Sequence, residues 1–251
     1  MRFQSKLLPI ILVILCYMPS FTQAGVEFSA DSVESHPEYG ERTGRLFMGQ
    51  DRIRTDFEIN GEKIIQIIDL DKQQAIIINV TQKSFMRRQA GKVDMKQSAA
   101  SSGDMNPCAN MQNLDCKDAG SEMVNGRRTH KWVISSAGQS GTMTFWLDET
   151  RKIPVRQELP DGSLMEMRML GIESINGRNT EKWEMTSRFP NGESQKSTQW
   201  YDPQLNINVR EQQPGGFTRN LININLGKQP DNVFLVPPGF SEQTMPQQSG
   251  Q

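Results

Sequence analysis

Apolar and polar residues alternate along most of this chain with a period of two, the spacing that turns one face of a strand to a core and the other to water. Residues 26–32 set Val26, Phe28 and Ala30 against Glu27, Ser29 and Asp31. Residues 51–59 set Ile53, Thr55, Phe57 and Ile59 against Arg52, Arg54, Asp56 and Glu58, and Asn60-Gly61 then marks a tight hairpin turn. Further strands are predicted over 43–48, 63–70, 75–80 and 84–88. The two in the middle are rich in isoleucine, which suits central positions in a sheet. Residues 90–120 break the pattern. They hold Ser98-Ala99-Ala100-Ser101-Ser102-Gly103, a proline and two cysteines, and read as an inserted loop with room for one helical turn.

Downstream the pattern is duplicated. Asn125-Gly126-Arg127-Arg128-Thr129-His130-Lys131-Trp132 returns as Asn176-Gly177-Arg178-Asn179-Thr180-Glu181-Lys182-Trp183. Trp146-Leu147-Asp148 returns as Trp200-Tyr201-Asp202, and Val155-Arg156 as Val209-Arg210. The offset is 51 at the Asn-Gly pair and 54 from the second tryptophan on, so the second copy carries three extra residues in one turn. Each copy reads as four strands, over 129–135, 142–147, 153–159 and 164–172, then 180–188, 195–201, 207–212 and 217–226. The turns between them carry Ala137-Gly138, Pro160-Asp161-Gly162, Pro190-Asn191-Gly192 and Pro214-Gly215-Gly216. The prolines of the closing run Val233 to Phe240 suit an edge position, and the polar residues 241–251 are expected to be disordered. No amphipathic helix is predicted after the leader, so the fold class is all-β.

The leader has its own signature. Arg2 and Lys6 precede an apolar run over 7–18, and Thr22-Gln23-Ala24 is a small-x-small cleavage pattern. These features predict a secretory signal peptide over 1–24, cleaved near Ala24, and a periplasmic or secreted mature protein. Cys16 follows Leu15 instead of the small residue of a lipoprotein processing site. Losing two basic residues takes the formal net charge from −1 to −3, which offers no field for a polyphosphate, so nucleic acid is not an expected partner. No later apolar run reaches the length of a membrane span. The expected organisation is a single β domain over 25–240: an N-terminal meander (25–89), the inserted loop (90–120), repeat one (121–172), repeat two (173–226) and a closing segment (227–240). A tail follows over 241–251.

Catalytic motifs do not appear. Gly138-Gln139-Ser140-Gly141 lacks the spacing of a nucleophile elbow, and there is no zinc-protease helix, P-loop or dinucleotide fingerprint. Of the two histidines, His36 precedes Pro37 in a predicted loop, and His130 is replaced by Glu181 in the other repeat. One reading of Asp148 and Asp202 is a glycosidase carboxylate pair. A Trp-x-Asp leading into a turn more simply supplies a carboxylate that accepts local backbone amides. Cys108 and Cys116 are expected to form a disulfide in an exported chain, worth roughly 2–3 kcal/mol in the chain-entropy model. The rival reading, two thiolate ligands of a metal, needs histidine or carboxylate partners close by. No metal or cofactor is expected.

Methionine is the more informative residue. Met165, Met167 and Met169 alternate with Glu166 and Arg168, so a strand lines up three thioethers on one face. Met143 and Met185 belong to the same repeats, as do Trp132 and Trp183. These seven are the candidate ligand-binding residues. Methionine is flexible and polarisable, and serves both irregular cores and surfaces that take apolar partners.

The order of features resembles one known superfamily. Gly44-Arg45-Leu46-Phe47, Arg52-Ile53-Arg54, the two Asn-Gly-x-x-Thr-x-Lys-Trp and Trp-x-Asp units, and the closing Phe234-Leu235-Val236-Pro237-Pro238-Gly239-Phe240 resemble the LolA/LolB-like periplasmic lipoprotein carriers over most of residues 26–240. The resemblance implies an open, strongly curved antiparallel half-barrel whose concave face, in the carriers, accepts acyl chains. It brings no catalytic residues, and the helices that plug the carriers have no counterpart in this sequence. The function it implies is a non-catalytic periplasmic binding protein holding a lipid or lipoprotein acyl chain. The rival is an interaction or sensor module with a fully packed interior, engaging another envelope protein.

Overall fold

Strand β1 (Phe28–His36) pairs antiparallel with β15 (Thr218–Leu226), so the two ends of the fold meet in the middle of one sheet. The computed structural model describes residues 26–38, 40–59, 61–89, 107, 114–136 and 141–243. From β1 the chain steps outward through β2 (Gly40–Met48), β3 (Arg52–Ile59), β4 (Glu62–Asp69), β5 (Gln74–Asn79) and β6 (Ser84–Gln89). It re-enters at the opposite edge as β7 (Leu114–Val124). It returns through β8 (Arg127–Ser136), β9 (Thr142–Asp148), β10 (Pro154–Glu158), β11 (Leu164–Ile175), β12 (Arg178–Arg188), β13 (Ser194–Asp202) and β14 (Ile207–Gln212). The last strand, β16 (Ser241–Glu242), adds in parallel to β6. The 16-stranded sheet runs from β16 to β7 without those two edges pairing, so it is open. The all-β class and the open sheet are as expected, and no α-helix occurs among the described residues.

The duplicated Asn-Gly pairs set the hairpins. Asn125 and Gly126 have φ of 50° and 76°, and Asn176 and Gly177 have 52° and 77°. Two successive left-handed residues give the mirror-image turn that matches the twist of the strands on either side.

Four expectations are corrected. Residues 114–120 are not loop but the first part of β7, paired with β8 from Leu114↔Ser136 onward. An edge strand with few apolar residues shows no period-two signal, and its identity comes from backbone pairing alone. The closing run does not form an edge strand. It passes through a 3-10 turn, Asp231–Phe234, and lays Phe234 over Ile65, Ile67, Ile78 and Phe85. Arg54 Nη1 fixes it there by donating to the carbonyl of Val233 at 2.6 Å, and the Arg52 guanidinium stacks 4.8 Å from the Phe234 ring. Burying one phenylalanine in this way contributes about 2–3 kcal/mol. Finally, the start of the polar tail is ordered as β16, and His36 ends β1 instead of lying in a loop. Residues 1–25, on which the signal-peptide expectation falls, Cys108, most of 90–113, residues 137–140 and residues 244–251 lie outside the described residues.

Candidate functional site

The repeated residues build the same local device twice. In the first copy the Trp146 ring lies between Lys131 (4.7 Å) and Arg156 (4.7 Å), and its Nε1 donates to Glu122. In the second copy the Trp200 ring lies between Lys182 (4.9 Å) and Arg210 (5.6 Å), and its Nε1 donates to Glu173 at 3.0 Å. The Trp200 indole N–H, followed by Lys182, holds the Glu173 carboxyl below its ordinary range. Each cation over a desolvated ring is worth about 1–2 kcal/mol, which accounts for the Lys-Trp and Val-Arg motifs structurally. The buried Thr129 and Thr180 hydroxyls donate to the carbonyls of Glu122 and Glu173 at 2.8 and 2.6 Å.

Asp148 and Asp202 are likewise committed to structure. Asp148 pairs with Arg127 and accepts the amides of Thr150 and Arg151; Asp202 pairs with Arg178 and accepts those of Gln204 and Leu205. Burial alone raises the Asp148 carboxyl, but the Arg127 guanidinium and the two amides outweigh it and leave it below the usual range. His130 Nε2 lies 2.7 Å from Asp118 Oδ1, and its Nδ1 is 3.5 Å from Ser121 Oγ. Ser121 donates instead to Glu149 at 2.7 Å, and 3.5 Å is too long for a nucleophile–base pair.

All seven candidate ligand residues fall on one face of β8 to β12. Met165, Met167 and Met169 stand opposite Ser187, Met185 and Trp183. On the other side Met165 continues through Gln157, Phe145 and Trp132, while Met143 stands opposite Ile134. Directly opposed residues in antiparallel strands share a face, so the register alone fixes this arrangement. The two tryptophans are buried and the five methionines half-buried. Trp183 Nε1 donates to Glu181 at 3.1 Å; Trp132, with histidine in the place of that glutamate, has a buried Nε1 without a partner.

The sheet is strongly curled between the repeats. Arg127 at the start of β8 lies 5.3 Å from the Trp183 ring of β12, and Arg151 pairs with Glu181. Four strand spacings on a flat sheet are about 19 Å, so the first repeat bends over the second. Asn125 Nδ2 completes the contact by donating to the carbonyl of Met167 at 3.3 Å. Between the repeats a cavity of about 20 Å³ remains, lined by Pro154, Val155, Arg156, Gln157, Met165, Met167 and Met185. That is room for about one water. The equivalent seam after the second repeat uses Leu221 where the first has Met167, bonded in the same way by Asn176 at 3.2 Å, and Leu221 is fully buried.

The apolar face ends at β13. Met167–Met185–Ser197 is one row across three strands, and Met169–Trp183–Gln199 is the next. Beyond Gln199 the row turns into a charge ladder, Glu211–Arg219–Glu34–Arg42. Gln199 is satisfied by Asn208 Nδ2 at 3.0 Å, whereas the buried Ser197 Oγ has no partner.

Residues 33–153 match a family described as a domain of unknown function, DUF4412. Among curated proteins, none matches the chain. Of solved structures, the chain is similar to a LolA superfamily protein from Nitrosomonas europaea, at 13% identity and a TM-score of 0.37 over 86% of this chain and 92% of that one. It is similar to a domain described as an outer membrane lipoprotein-sorting protein from Vibrio parahaemolyticus, at 11% identity and 0.38 over 85% and 90%. It is also similar to the Pseudomonas aeruginosa MucA/MucB complex structure, at 10% identity and 0.22 over 81% and 94%.

Proposed function

We propose that this is a non-catalytic envelope binding protein that takes an apolar chain, a lipid or a lipoprotein acyl group, between its two repeats. The observation that carries the reading is the cavity lined by Val155, Met165, Met167 and Met185, kept by thioethers where the second seam is closed by leucine. At about 20 Å³ the cavity is far smaller than the several hundred Å³ of a ligand site, so binding needs the methionines to swing aside. Three rotatable bonds and a polarisable sulfur suit them to that. The test is mass spectrometry of lipid extracted from purified mature protein, with titration of a fluorescent fatty acid. Co-purifying lipid and saturable binding support the reading; an empty protein without saturable binding refutes it.

A second reading is favoured by β7, an edge strand whose described pairing is with β8 alone and most of whose residues are exposed. Such an edge accepts a strand from an envelope partner. Cross-linking from Lys117 to a co-purified protein, combined with absence of lipid, would favour it.

A further inference from the structure

The apolar seam has a polar end that the fold leaves unused. Met185 lines the cavity, and its direct neighbour on β13, on the same face, is Ser197. Ser197 is 7% exposed, and its Oγ is buried without a hydrogen-bond partner. An orphaned hydroxyl costs free energy in the folded chain, and serine at a purely structural position would be expected to find a partner or give way to alanine. The residues around it make the contrast plain: Gln199 accepts from Asn208, and the equivalent-face neighbours Met167 and Met185 need nothing. Of the other buried orphans among the described residues, Arg156 also borders the cavity, but its guanidinium is held over the Trp146 ring and donates to Glu158, and Trp132 Nε1 lies on β8, beyond β9 and β10 from the methionine row.

We infer that Ser197 recognises the carbonyl of an acyl ester whose hydrocarbon lies along Met165, Met167 and Met185. This rests on the binding function proposed above and adds the chemical class of the ligand. The chain would run across the strands from the cavity at β10 and β11, over Met185, to the hydroxyl on β13, a span of about 14 Å at three strand spacings. Ser197 donates its O–H to the ester carbonyl, and the bond is made inside the protein, where no water competes for it. A hydrocarbon with no acceptor gains nothing at this position and leaves the hydroxyl orphaned.

The test compares wild type with Ser197→Ala in binding two probes: a pyrene-labelled dodecanoate methyl ester and a pyrene-labelled alkane of the same chain length. The expected result is ester binding weakened about three- to tenfold in the variant, the range of one neutral hydrogen bond, with alkane binding unchanged. Thermal melting of the ligand-free proteins is the second readout: Ser197→Ala should melt higher, because it removes an unsatisfied group. Equal loss for both probes, equal ester affinity in the two proteins, or a lower melting temperature of the variant would each overturn the role of Ser197 while leaving apolar-chain binding standing. Wild-type protein that binds neither probe overturns the binding function itself, and this inference with it.

Discussion

Val155 and Val209 occupy the same place in the two repeats: each is the extra residue of a β-bulge, and each is only 1% exposed. Their surroundings differ, because Val155 borders the methionine cavity and Val209 belongs to the main core with Phe28 and Leu221. Val155→Ala and Val209→Ala should each destabilise by about 2 kcal/mol in denaturant melts. The first should also enlarge the cavity and tighten binding of the fatty-acid probe. The second should not.

Met167→Leu copies the second seam into the first. Such a volume-conserving change should shift stability by less than about 1.5 kcal/mol. Because leucine is the stiffer side chain, fatty-acid binding should weaken severalfold in fluorescence titration. Unchanged binding would mean that chain entry does not depend on a flexible residue at 167.

Asp148→Asn should cost about 3 kcal/mol, since it strips Arg127 of its buried counter-charge. The pH dependence has a definite sign. The Asp148 carboxyl is lowered in the fold, so its contribution is present above the unfolded value near 3.9 and is lost as pH falls through the folded one. Glu34 runs the other way: burial raises it despite Arg219 and Arg42, so its contribution holds at low pH and is lost as pH rises through the folded value. Melting curves from pH 2 to 6 should therefore show a flatter acid limb for Asp148→Asn and a steeper one for Glu34→Gln.

We expect non-reducing peptide mapping of the purified protein to recover Cys108 and Cys116 in one cross-linked fragment. Reduction should lower stability by about 2–3 kcal/mol. Two free thiols on mass analysis would remove the bridge.

Much of the fold was legible because the chain states it twice. The Asn-Gly turns, the Trp-x-Asp units and the alternation over β3 and β12 all translate directly into hairpins, capped turns and faces. What stayed hidden depends on partners distant in sequence. Glu122 and Glu173, which hold the two tryptophan N–H groups, sit at the same offset of 51 as the Asn-Gly pairs and were within reach of the alignment. Ser197 was not. Ser194-Gln195-Lys196-Ser197-Thr198-Gln199 is polar throughout and reads as exposed, and only the register opposite Met185 puts its fourth residue inside. The strand β7 was hidden for the opposite reason, being an edge without an apolar stripe.

The central pairing of β1 with β15 sets Phe28 against Leu226. Nearly the whole polypeptide has to be synthesised before that ladder can close, and contacts so far apart in sequence slow folding. Until then β1 and β2 form a free border with Phe28, Ala30, Leu46 and Met48 uncovered, a surface prone to sticking to other chains. The molecule should accordingly depend on a holding chaperone late in its biogenesis, and truncations that remove the final strands should aggregate instead of yielding a stable N-terminal half.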